Sequence, residues 1–240
     1  MKAELNPCFI LHKRPYKESS TILDVFSLEY GRVSLVAKGA KRAGNNLSGL
    51  LQPARKLNIS WSIRTDLGTL TGAEFIGSPY KLHGKWLLSC FYINELLLRM
   101  LHKHESHPDL FQIYDNAVSQ LDSCACEDRV IRMFEKHLLK SLGYGLVLDH
   151  EIETGVPVNS EMEYYYQTEY GPVINKPNTA NYIQISGKTL FALSSEQNWD
   201  ATISNESKQL MRMILHAHVG DKPLGSRILY KAYLDNVTNN

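Results

Sequence analysis

The sequence predicts an α+β protein: a small barrel of five strands, then a mostly helical region carrying a short irregular or β segment. Two observations lead there. Up to about residue 79 the apolar side chains recur every second position, and beyond it they recur at helical spacing. The basic residues are also concentrated in the first part, which sets it apart chemically from the rest.

The strands follow in order. CFILHKR around Phe9, TILDVFSL from Thr21 and RVSLVAK from Arg32 are separated by PYKESS and EYG, both rich in turn formers. Next, Leu57, Ile59, Trp61 and Ile63 alternate with Asn58, Ser60 and Ser62, which puts four apolar side chains on one sheet face. RTDLG then turns the chain into TLTGAEFI from Thr69. Ser78-Pro79 ends the pattern, so one domain is expected over 1–79 and a second over 80–240.

The second region opens with WLLSCFYINELLLRML, Trp86 to Leu101. Ser89, Asn94, Glu95 and Arg99 interrupt it, and it falls short of the roughly 20 residues of a membrane span, so it reads as a buried helix. DLFQIYDNAVSQL and EDRVIRMFEKHLLKSLGYG continue the helical period. In the latter, Val130, Met133 or Phe134, His137 or Leu138, and Leu142 keep one stripe and Gly143 ends the helix. A further helix is expected from Ser204 to about His218. Residues 150–192 are mixed, with YYYQTEYGP and NYIQISG as short strands or extended loops.

Composition is that of a folded globular chain, with 43% hydrophobic and 21% charged residues, which argues against disordered and fibrous classes. Lys2, Glu4, Lys13 and Arg14 break up the opening residues, so no secretory leader is expected and a cytoplasmic location follows. Cys8, Cys90, Cys124 and Cys126 are scattered, and the lone C-A-C lacks a second pair for a tetrahedral zinc site. His102, His104 and His107 follow a long helix, where imidazoles favour the dipole and stay solvated. Asp149, Glu151 and Glu153 read as a solvated acidic loop, and Tyr164-Tyr165-Tyr166 as strand packing. With no G-x-S-x-G, H-E-x-x-H or G-x-x-x-x-G-K-[ST], the starting residues of a hydrolase, metalloprotease or nucleotide triphosphatase are missing; no enzyme and no cofactor are expected.

Charge points to a partner. Residues 1–80 hold eleven Lys and Arg against six Asp and Glu, whereas 81–240 hold fifteen against nineteen. Between Glu29 and Asp66 lie Arg32, Lys38, Lys41, Arg42, Arg55, Lys56 and Arg64 with no carboxylate among them, a pattern suited to an anionic ligand such as a phosphate backbone. Gly31, Gly39, Gly44 and Gly49 in the same stretch suit turns or close backbone approach.

FxLHxRPYxExSxxLxxFSxExGRVxLVAKGAxR, read from Phe9 to Arg42, resembles the N-terminal domain of the RecO family of bacterial recombination mediators. The likeness continues through LQP at Leu51–Pro53, YINELL at Tyr92–Leu97, RMFEKHLLKSLGYG at Arg132–Gly145 and KPLGSR at Lys222–Arg227. It implies an N-terminal OB-fold β-barrel followed by a mostly α-helical domain. It also implies a cytoplasmic, nucleoid-associated protein that binds single- and double-stranded DNA and anneals complementary strands. Such proteins work with RecR to load RecA on strands coated by single-strand binding protein. The cations inside the matched N-terminal motif, Arg14, Arg32, Lys38, Lys41 and Arg42, become the first candidates for phosphate contact. Arg55, Lys56 and Arg64 extend the patch, and Tyr16 and Trp61 are candidate stacking faces, Trp61 reading equally as core. The resemblance also implies a helical-domain pocket for the acidic, phenylalanine-ended tail of single-strand binding protein, with Arg132, Lys136 and Lys140 as its cationic rim. Some relatives carry a four-cysteine zinc ribbon after the LGY segment; here VLDHEIETGVPVNSEMEYYY holds no cysteine, which removes zinc from what is carried over. A protein-interaction scaffold with incidental DNA contact is the alternative reading.

Overall fold

The computed structural model describes residues 2–42, 47–64 and 66–238; Gly44 and the Thr65 of the RTDLG turn lie outside them. Five strands close a barrel: β1 (Lys2–Tyr16), β2 (Ser20–Ser27), β3 (Gly31–Ala37), β4 (Lys56–Ser62) and β5 (Gly68–Phe75), in spatial order β1-β2-β3-β5-β4 with β4 returning to β1. A single turn of helix, α1 (Leu47–Leu50), lies between β3 and β4 in the chain. Among the strand pairings of the described barrel residues, β3–β5 is the parallel one. This is an OB-fold barrel, and the expected α+β class is the observed one. β1 can serve two neighbours because register shifts at Ala3/Asn6 and Ile10/His12 bend it, so its first half pairs with β4 and its second with β2. Cys8, Ile10, Leu23, Val25, Val33, Leu35, Leu57, Ile59 and Trp61 fill the interior, with the Tyr30 ring edge-on to Trp61 at 5.3 Å. Trp61 is therefore core.

The barrel is apolar outside as well. Phe9 and Phe26, on the outer face of β1 and β2, are fully buried under α2 (Gly84–Met100) and α3 (Pro108–Asp122), where Phe9 meets Phe111 at 5.2 Å and Tyr114 edge-on at 4.8 Å. Lys56 spans the same seam, ion-paired with Asp115 and lying over the Phe9 and Phe111 rings. Leu11 falls in the β1 bulge without a strand partner, and its carbonyl is satisfied by Asn94 Nδ2 of α2 at 2.9 Å; Tyr114 donates to Asn94 Oδ1 at 2.7 Å. The neighbouring Glu95 receives the start of α7 (Gly225–Thr238), accepting from the Gly225 and Ser226 amides and the Ser226 hydroxyl, while Arg99 donates to the Pro223 carbonyl. FxLH, YINELL and KPLGSR thus meet in one joint. The expected division at residue 79 follows the apolar pattern, but compactness groups the chain up to Ala125 and from Pro223 onward as one unit, because the aromatic outer face of the barrel needs α3.

The second unit, Cys126–Lys222, is built on α4 (Glu127–Ser141), a three-stranded sheet in order β7-β6-β8, α5 (Gly187–Ser195) and α6 (Ala201–Val219). The sheet strands are β6 (Glu163–Gln167), β7 (Gly171–Val173) and β8 (Tyr182–Ser186), so the mixed segment is a small sheet followed by a helix. Tyr164 and Tyr166 point into the core, as expected of strand packing. Helices α5 and α7 were not anticipated. No helix among the described residues is long and apolar enough to cross a membrane.

Candidate nucleic-acid interface

Strand register decides which cations share a surface. Arg14 pairs with Ile22 and Ile22 with Val36, so the three lie in one row on the outer face of β1-β2-β3. Lys38 follows directly on the end of β3, next to the end of β2 that the β1–β2 turn enters. Lys41 is tied to that turn twice, its amide donating to the Ser19 carbonyl at 3.0 Å and its ammonium to the Lys17 carbonyl at 3.4 Å. Gly39, at φ +69°, reverses the chain, and the Arg42 amide closes the turn on the Gly39 carbonyl at 3.1 Å. Arg14, Lys17, Lys38, Lys41 and Arg42 therefore gather at one end of the barrel, all of them exposed. Lys17 was missed by sequence reasoning because Glu18 beside it cancels its charge in a linear count. Lys13 is less available: burial lowers its pKa, and its ammonium donates to Gln52.

The other four candidates lie elsewhere. Arg32 opens β3, six residues from Lys38, which is about 20 Å along a strand. Its carbonyl accepts from the His104 amide at 3.0 Å, and its Nε is buried. The loop carrying His102, His104 and His107 is thereby clipped onto β3, a contact that requires Gly31, where a Cβ would fall 1.7 Å from the Glu105 carbonyl oxygen. Arg55 lies 5.4 Å from the centroid of the exposed Phe75 ring, an aromatic that sequence reasoning passed over. Lys56 is held in its half-buried ion pair, and Arg64 is exposed on the β4–β5 connection. Tyr16 remains a half-exposed ring beside the cluster, with Lys17 Nζ 5.4 Å from its centroid.

In the second unit the three expected rim cations differ sharply. Arg132 is only 5% exposed and pairs with the fully buried Glu135 at 3.0 Å. Lys136 donates to the Leu193 carbonyl at 2.8 Å and meets Glu196 Oε1 at 2.5 Å. Glu196, the left-handed cap of α5, also receives His137 at 2.8 Å, and Arg129 donates to its carbonyl at 2.7 Å. Burial pushes the Glu196 carboxyl up, but Lys136 and His137 outweigh it and hold the carboxyl below its ordinary range. Arg132 and Lys136 therefore bind the unit together, and Lys140 alone of the three is exposed. Among the described residues no three His, Cys, Asp or Glu side chains converge as a metal site. Glu151 instead accepts from the Thr154 amide and hydroxyl.

Comparison with known proteins agrees with this architecture. Residues 1–79 match the family Recombination protein O N terminal, and residues 85–228 match Recombination protein O C terminal. The DNA repair protein RecO of Nitrosococcus oceani is 43% identical over 227 residues, 95% of this chain and 92% of the relative. Those of Nitrosospira multiformis and Vibrio parahaemolyticus are 38% and 40% identical, covering 97% and 93% of this chain and 96% and 91% of theirs. The OB-fold barrel, the joint made by the shared motifs and matches over nearly the whole length make this chain a member of the RecO family of DNA repair and recombination proteins.

Proposed function

We propose that the protein is a DNA-binding recombination mediator of the RecF pathway. In this reading it anneals complementary single strands and, with RecR, helps RecA onto strands coated by single-strand binding protein. The observation that carries the reading is the convergence of Arg14, Lys17, Lys38, Lys41 and Arg42 at one end of an OB-fold barrel, where exposed cations from two chain segments can follow a phosphate backbone. Arg32 and Arg64 extend that path. Arg55 acts with Phe75 as a stacking pair, and Lys56 acts through the α3 seam. Tyr16 supplies a further stacking face. None of these roles needs covalent chemistry or a cofactor. Family membership supports the partner assignments and a nucleoid-associated location.

For the acidic tail of single-strand binding protein, Lys140 is the direct contact in this reading. Arg132 and Lys136 act as positioning residues that hold α4 and α5 in place.

The test is anisotropy of a fluorescent oligothymidylate across a salt series. Each lost single-strand phosphate contact should lower the log–log salt slope by about 0.7, so Lys38→Glu with Arg42→Glu should lower it by about 1.4 and slow annealing. A wild-type affinity indifferent to salt, or a double variant with unchanged slope, defeats the reading.

A further inference from the structure

We propose that the second unit contains a receptor for a cationic side-chain head, the guanidinium or ammonium of an arginine or lysine presented by a partner protein. The site is a cleft of about 190 Å³ at the C-terminal end of α4, room for about six waters or one side-chain head with its last methylenes. Tyr144, Tyr166, Tyr170, Glu169, Val147 and His218 line it. Two exposed tyrosine rings, Tyr144 and Tyr170, offer electron-rich faces above the buried Tyr166, and the one side chain of the lining that is formally charged is the Glu169 carboxylate. Aromatic walls with a carboxylate at one side recognise an organic cation.

Local structure fixes each wall. Helix α4 ends in a Schellman turn, with the Gly143 amide on the Lys140 carbonyl and the Tyr144 amide on the Leu139 carbonyl at 2.8 Å, Gly143 taking φ +85°. That turn delivers Tyr144 to the cleft, where its ring lies 4.1 Å from the ring of His218 in the last turn of α6. Glu169 sits at φ +64° in the β6–β7 turn, closed by the Tyr170 amide on the Gln167 carbonyl, so carboxylate and ring are presented together. Tyr166 comes from the buried face of β6, and burial pushes its hydroxyl pKa well up, offset only in part by a hydrogen bond with the Val147 backbone. Tyr144 and Tyr170 are nevertheless 51% and 49% exposed, large rings left facing water.

Charge selects the occupant. Residues 126–222 hold thirteen acidic against nine basic side chains, which repels a phosphate chain and attracts a basic protein segment. Lys140 is not among the lining residues, so among the described residues no lysine or arginine of the unit stands in the cleft wall.

The test uses the full chain and follows Tyr144 and Tyr170 ring signals by NMR while titrating a capped Leu-Arg-Leu peptide. The matched citrulline peptide, identical in shape and neutral, is titrated in parallel. The arginine peptide should move both rings and bind about tenfold more tightly than the citrulline peptide. Glu169→Gln and Tyr170→Leu, both on an exposed turn, should each abolish that preference while leaving the salt slope of oligothymidylate binding unchanged, which separates this site from the DNA-binding reading. Equal binding of the two peptides overturns the proposal. So does occupation of the cleft by an acidic phenylalanine-ended peptide or by oligothymidylate with the arginine peptide silent.

Discussion

Replacing Gly31 by alanine combines two penalties that a second glycine separates. At Gly31 the backbone has φ +62°, which an alanine adopts at about 1–2 kcal/mol, and the new Cβ would lie 1.7 Å from the Glu105 carbonyl oxygen. A backbone atom cannot rotate out of the way, so the 102–107 loop must lift off the barrel. It then loses the His104 amide to Arg32 carbonyl bond and the Ser106 hydroxyl to Leu28 carbonyl bond, each about 0.5–1.5 kcal/mol. The expected loss is about 2–5 kcal/mol. Gly39 has a similar φ of +69°, but a Cβ there would meet only the flexible Arg42 side chain, at 3.6 Å or more, so Gly39→Ala should lose only the conformational term of about 1–2 kcal/mol. Urea and thermal unfolding followed by circular dichroism measure both. With about 2–4 °C per kcal/mol for a chain of this size, the melting temperatures should fall by about 4–20 °C and 2–8 °C. Equal losses in the two variants would refute the close approach of the loop to β3.

Arg132→Ala takes the guanidinium from a fully buried carboxylate and should destabilise the second unit by about 3–5 kcal/mol, whereas Lys140→Ala should stay within about 0.5 kcal/mol; urea midpoints of the two decide it. Asn94→Leu strands the Leu11 carbonyl in the core and takes from the Tyr114 hydroxyl its 2.7 Å acceptor, and should lose about 2–4 kcal/mol, read in the same assay. Burial raises the Glu95 and Glu196 carboxyls, but the α7 amides with Arg99, and Lys136 with His137, outweigh it, so both lie below the unfolded value of 4.5. A depressed carboxyl pKa means their stabilisation is complete above pH 4.5 and disappears as pH falls through the folded values. Protection factors of the α5 and α7 amides, with the intrinsic pH dependence of exchange divided out, should fall below pH 4.5 and hold steady from 5 to 7; a fall already at pH 6 would contradict this.

What sequence revealed depended on how local its cause was. Leu57, Ile59, Trp61 and Ile63 announced β4 because alternation is a property of one strand, and Gly143 announced the end of α4 because a left-handed cap is a property of one residue. Helix α5 escaped because nine residues give only about two and a half turns of periodicity, and its start depends on the Ser186 side chain capping Thr189. Helix α7 escaped for a different reason. Its N-terminus is completed by Glu95, 130 residues earlier in the chain, and no local window contains both.

The same distinction explains the cations. A linear count saw seven bases between Glu29 and Asp66 but could not see that Asp115, fifty-nine residues after Lys56, neutralises one of them. Nor could it see that the β1–β2 turn brings Lys17 beside Lys41. Spacing placed Arg132, Lys136 and Lys140 along one side of α4, yet a helical face states only direction. Whether that direction is water or another helix depends on what the rest of the chain supplies, and here Leu193 and Glu196 supply acceptors for Lys136. An exposed Arg and a buried Arg can occupy the same pattern, because long side chains bury their stems and carry their charge to whichever partner is near. A cation inside a motif is thus evidence of a partner for its charge, and for Lys56, Arg132 and Lys136 that partner is the protein itself.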